Sequence, residues 1–143
     1  MYGNLDVSVS GLVAQRTRLN TIAANLANRD AILDANGNYN PYRRRFTIFE
    51  AGDPASRTPE GRARGVHVSS IELDQSEFQK RWEPDSPYAQ PPGTPDAGYV
   101  YYPNIDPAVE MVDSLDAQRA YEANIAAAEA TKAIVAQALR LLS

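Results

Sequence analysis

Four groups of side chains in this chain have the types and spacing to do chemistry. Arg43-Arg44-Arg45 is its one basic run. Asp34-Ala35-Asn36-Gly37-Asn38-Tyr39-Asn40 begins like a calcium loop. His67 is the single histidine, and Asn25 and Asn28 lie three apart at the end of an apolar repeat. Each implies a different chemistry, and most fail on spacing. A calcium loop of the helix-loop-helix type needs glycine at position six and a bidentate glutamate at twelve, but here glycine is fourth and Arg45 twelfth. The segment is therefore expected to be a turn. Zinc needs several nitrogen or sulfur ligands, and the chain has no cysteine and no second histidine. No Gly-x-Ser-x-Gly nucleophile elbow is present. Asp113 and Asp116 sit beside Arg119 at helical spacing, where a solvated ion-pair face is expected. Neither catalysis nor a cofactor is expected. Arginines 43–45 lack the broad basic footprint of a nucleic-acid site, since the net charge is −4 and the pI about 4.9. Strand-edge protection or salt bridges to another subunit remain for them. Asn25 and Asn28 fit either a helix end rich in turn-forming residues or amide hydrogen bonding to another chain.

The elements that must carry these residues are written in two seven-residue ladders. Leu5, Leu12, Leu19 and Leu26 form one, widened by Val9, Ile22 and Ala23. Tyr121, Ala128, Val135 and Leu142 form the other, widened by Ile125 and Leu139. All ten prolines lie between them, from Pro41 to Pro107. Since proline breaks a helix interior, two helical arms joined through a Pro-rich middle are expected. The first arm runs from about residue 4 to 28, with Asn4 or Ser8 as cap, a stop at Asn28, and Gly11 as a weak point costing about 1 kcal/mol. The second opens with Asp106 as N-cap and Pro107 in the first turn. Between them, short period-two runs imply a small β module with a bulge at Ser69-Ser70 and a loop from Pro84 to Pro95. The expected fold class is α+β: long terminal helices packed as a coiled-coil-like layer, with the β module inserted. The domain boundaries are 1–30, 31–104 and 105–143.

An antiparallel hairpin within one chain would satisfy both ladders. However, Ala108, Met111 and Val112 occupy another face of the second helix. Apolar surface on two sides calls for more than one neighbour, which leans towards packing between chains. The rival is an intracellular adaptor whose arms close on each other and display the Pro-rich loop to a protein partner. No apolar run exceeds four residues, which excludes a membrane-spanning helix, and the first residues lack the regions of a cleaved secretory signal.

The residues also resemble a known family. Ser10-Gly11-Leu12-Val13-Ala14-Gln15-Arg16-Thr17-Arg18-Leu19-Asn20, continuing from Ile22 to Asn28, is similar to the N-terminal signature of bacterial flagellar rod and hook proteins. Tyr42-Arg43-Arg44 resembles the segment that follows in its proximal-rod members. Gly98-Tyr99-Val100, Pro103-Asn104-Ile105, Glu110-Met111-Val112-Asp113 and Arg119-Ala120-Tyr121-Glu122-Ala123-Asn124 match their C-terminal half in order. Arg29-Asp30 replaces a threonine-containing turn, Ser114 a larger apolar residue, and the Pro84 to Pro95 loop is idiosyncratic. The resemblance implies a non-enzymatic proximal-rod subunit that leaves the cytoplasm unfolded through the flagellar type III export gate, without a cleaved signal. Its partners would be copies of itself, related rod proteins and the export apparatus, with no nucleic acid and no membrane span. Its arms would order only when neighbours cover them. The expected interface residues are Leu5, Leu12, Leu19, Ile22, Asn25, Leu26, Asn28, Arg43, Arg44, Met111, Leu115, Tyr121, Asn124, Ile125, Ala128, Val135, Leu139 and Leu142.

Overall fold

The structure, a computed structural model, describes residues 2–142, and the side chains of Tyr2 and Leu142 lie outside what is described. Helix α1 (Tyr2–Ala27) leads through a turn to strand β1 (Arg45–Ala51) and a short helix α2 (Pro59–Arg64). Strands β2 (Val66–Leu73), β3 (Gln79–Trp82) and β4 (Tyr99–Tyr102) precede the long helix α3 (Pro107–Leu142). The fold is α+β, with the terminal helices packed together and the strands between them in sequence.

Helix α1 begins before its expected caps. Ser8 does not cap it but donates its hydroxyl to the Asn4 carbonyl at 3.3 Å, and Thr17 and Thr21 bond back to the preceding turn in the same way. The helix ends at Ala27 with no left-handed residue at Asn28; among the described residues only glycines have positive φ. Helix α3 starts as its sequence dictates: Asp106 accepts from the Ala108 N–H at 2.9 Å and Pro107 occupies the first turn. The sequence reading missed α2. Its N-cap Thr58 accepts from the Gly61 N–H at 3.2 Å, and the Thr58-Pro59 pair repeats the logic of Asp106-Pro107.

Helices α1 and α3 run antiparallel. Asn25 meets Glu110 near one end, and Gly11 lies against Asn124 further along. Ala14, Ala117 and Ala128 are buried along the pair, small enough to let the backbones approach. Gly11 is a point of close approach: a Cβ there would sit 2.6 Å from the Asn124 side-chain oxygen. The expected weak point of α1 is thus the close approach that the helix pair requires.

The β module comprises two antiparallel pairs, β1 with β2 and β3 with β4. Ile48 faces Ser70 and Phe49 faces Val68, so Ser69 is the extra residue of a bulge where the sequence implied one. In the second pair Trp82 faces Tyr99, and the loop over 84–95 separates the strands. Trp82 lies across Gly98, whose φ of 82° and closeness to the indole admit no side chain. The fully buried apolar residues are few and small, with Val100, Pro103 and Ile105 among the largest. Polar contacts must therefore do much of the joining.

Candidate assembly surface and the polar clamp beneath it

Those polar contacts converge where α1 ends, β1 starts and α3 starts. Asn25 has no exposed surface. Its side-chain amide donates to the Arg45 carbonyl at 2.8 Å and to Glu110 Oε2 at 3.1 Å, while its Oδ1 accepts from the Arg45 N–H at 3.0 Å. Two of these bonds mimic a ladder rung on the edge of β1 that β2 leaves open. Glu110 is also fully buried. Its second oxygen accepts from Arg44 Nε, whose guanidinium reaches Asp113 at 3.2 Å and Asp74 at 3.5 Å. Arg18 of α1 adds a 3.6 Å contact to Asp113. Asn104 accepts from the Arg44 backbone N–H at 2.8 Å and donates to the Asp74 carbonyl at 3.1 Å. Four parts of the chain are locked by one network.

The electrostatics follow from this geometry. Burial alone pulls the Arg44 guanidinium down, but the hydrogen bond and charge of Glu110, with Asp113 and Asp74 behind, leave it above its ordinary value. The Asp74 carboxyl is held below the usual carboxylate range, first by the Ser76 backbone N–H and then by the Ser76 side chain and Arg44.

Asn25, Arg43 and Arg44, expected at contacts between subunits, each have polar partners inside the chain. Arg43 donates to the Asp74 and Ser76 carbonyls at 3.0 Å and stacks over Phe78. The protection of the β1 edge comes from Asn25 rather than from the arginine run. Asp113 also departs from the solvated pair expected with Asp116, because it turns to Arg18 and Arg44. Asn28 donates to the Ala24 carbonyl and Asn124 to the Ala120 carbonyl, both at 2.8 Å, so each closes a turn of its own helix. Sequence reasoning named Glu110 as part of the Glu110-Met111-Val112-Asp113 match; its spacing of three from Asp113 was the available signal.

The apolar residues divide into two sets. Ile22 and Ala128 are buried, and Leu5, Leu12, Leu19, Leu26, Tyr121 and Val135 are half-buried. Met111, Leu115, Ile125 and Leu139 lie exposed on α3, Met111 and Leu139 at 63%. Leu142 ends α3, but its side chain lies outside the described residues. Val9, Val13, Val109, Val112, Ile134 and Leu141 are exposed as well. Surface of this kind marks interaction sites.

His67 Nδ1 donates to the Gly52 carbonyl at 2.7 Å, and among the described residues no group of three His, Asp or Glu is placed to hold a metal. The Asp34 carboxylate accepts the Asn36 and Asn38 N–H groups, as a turn requires. No helix among the described residues is long and apolar enough to cross a membrane. A helical pair built from both ends of the chain, an inserted β module and an uncovered apolar face together define an α+β class of protein with an exposed candidate interface.

Comparison with known proteins gives that class its family. A model of the flagella basal body rod protein matches residues 5–30, and one of the flagellar basal body rod FlgEFG protein C-terminal region matches residues 96–141. The chain is 38% identical over 150 residues to the flagellar basal-body rod protein FlgC of Bacillus subtilis, covering 98% of this chain and 97% of that one. It is 37% identical to the FlgC proteins of Aquifex aeolicus (94% and 91% covered) and Salmonella typhimurium (95% and 93% covered). The chain belongs to the flagellar basal-body rod protein family, a family of structural proteins.

Proposed function

We propose that this chain is a subunit of the flagellar proximal rod, assembling helically with copies of itself and related rod proteins into a hollow drive shaft. It reaches that place through the flagellar type III export gate. The observation that carries this reading is the second apolar face of α3. Met111, Val112 and Leu115 are more than half exposed although α3 already packs against α1, so the helix pair leaves them for a further neighbour. The proposed interface is this face together with the outer flanks of the two ladders.

Met111→Asp combined with Leu139→Asp tests it. Both positions are solvent-exposed, so the purified variant is expected to keep its helix content and melting temperature, while cells carrying it build no rods and do not swim. Motile cells with normal basal bodies would overturn the assignment. The closure of α1 on α3 within one chain also suits the intracellular adaptor. Fractionation with and without a working export gate separates the two: a rod subunit is recovered in basal bodies only when the gate works, and an adaptor stays in the cell either way.

A further inference from the structure

An apolar groove runs along the side of α1 that faces β2. Val9, Val13 and Thr17 line it from the helix, Val66 and Val68 from the strand, and Asp53 stands on its rim. Val9 and Val13 are 45% and 56% exposed, although they share one stripe at a spacing of four. No lysine or arginine lines the groove, and Glu50 lies beside it against His67.

The far end of the same chain offers a matching shape. Helix α3 has 36 residues and α1 has 26. With Asn25 opposite Glu110 and Gly11 opposite Asn124, the start of α1 falls opposite the residues just before Ile134. Residues 134–142 therefore project past their partner helix. Ile134, Leu139 and Leu141 on this overhang are 62%, 63% and 88% exposed. From Ile134 to Leu142 the helix advances about 12 Å, the same rise as from Val9 to Thr17. The charges are also complementary: residues 132–142 contain Lys132 and Arg140 and no acid.

The overhang cannot reach the groove of its own chain, because α3 is one continuous helix pointing away from it. We propose that the groove between α1 and β2 receives the α3 overhang of a second copy, apolar face inward, with Lys132 towards the acidic rim. This rests on the rod reading above and names one contact within it. Groove and overhang are different patches, so the contact is head-to-tail, and such contacts propagate into rings or filaments rather than closing into pairs.

The absence of native cysteine allows a direct test. Full-length chains carrying Val13→Cys with one tag and Leu141→Cys with another are produced together in the bacterium, and isolated basal bodies are oxidised mildly. The expected result is a disulfide-linked product bearing both tags, absent when Val13→Cys is replaced by Leu33→Cys. All three positions are exposed, so folding is spared. Chains recovered in basal bodies without the two-tag product, or with as much of it in the Leu33→Cys control, overturn the contact and leave the rod reading standing. Failure of the unsubstituted chain to enter basal bodies overturns both.

Discussion

Glu110 is an acid with no exposed surface, and it holds its place because Arg44 and Asn25 occupy both of its oxygens. Removing one member of such a set leaves buried polar groups of the others short of a partner. Glu110→Ala is expected to lower stability by about 3–5 kcal/mol in chemical denaturation, and far less when Arg44→Met is already present. Gly11 supplies a prediction of opposite sign to its propensity. In an exposed helix Gly→Ala stabilises by about 1 kcal/mol, but here the added methyl meets the Asn124 amide, so Gly11→Ala should destabilise by about 1–3 kcal/mol. Combining it with Asn124→Ala should recover most of the loss. A melting temperature unchanged in the single variant would remove Gly11 from the contact. Neither role was legible in the sequence. A glycine or an acid in a helix looks alike whether it faces water or another helix 113 residues away in the chain.

Elements were more legible than their contacts. The capped start of α3, the proline boundary and the bulge at Ser69 all rest on local chemistry, which a sequence carries openly. The short helix α2 was written in Thr58-Pro59 but masked by the turn-forming residues around it. Helix α3 is covered along only part of its length, so its stability should be graded. Amide exchange on the isolated chain is expected to be slow around Ala117 and fast from Ile134 onward. The same measurement tests the expectation that the arms order only when neighbours cover them, against an end of the helix pair held by the clamp. Uniform protection along α3 would contradict it. The second strand pair is pinned by a titratable set: Asp96 accepts from the Tyr101 hydroxyl at 2.6 Å and from Lys80 at 2.9 Å. The Tyr101 hydrogen bond, then Lys80, holds the Asp96 carboxyl low, and Asp96 in turn raises both Tyr101 and Lys80. The contribution of Asp96 is present above its ordinary value near pH 4 and is lost as pH falls through its lowered folded value. Those of Tyr101 and Lys80 are complete below about pH 10 and are lost as pH rises through their raised folded values. Proton-detected NMR of the β3–β4 amides should therefore show loosening at both extremes and none between.

For the whole molecule, the family and the layout were legible from the ends of the chain, where the motifs are dense. Which surfaces face a neighbour was not, because heptad spacing is the same whether the partner helix belongs to the same chain or another. The clamp has one further consequence, in time rather than space. It joins Asn25 to a residue 85 positions later and Arg44 to one 66 positions later. Contacts so distant in sequence are slow to form, and these need the start of α3 to exist before Asn25 and Arg44 can reach Glu110. A chain emerging from the ribosome thus carries its first helix without a lock until most of it has been made. On the proposed export route that delay is an interval in which the N-terminal arm is not yet held to α3. A late lock leaves the chain threadable first and rigid afterwards.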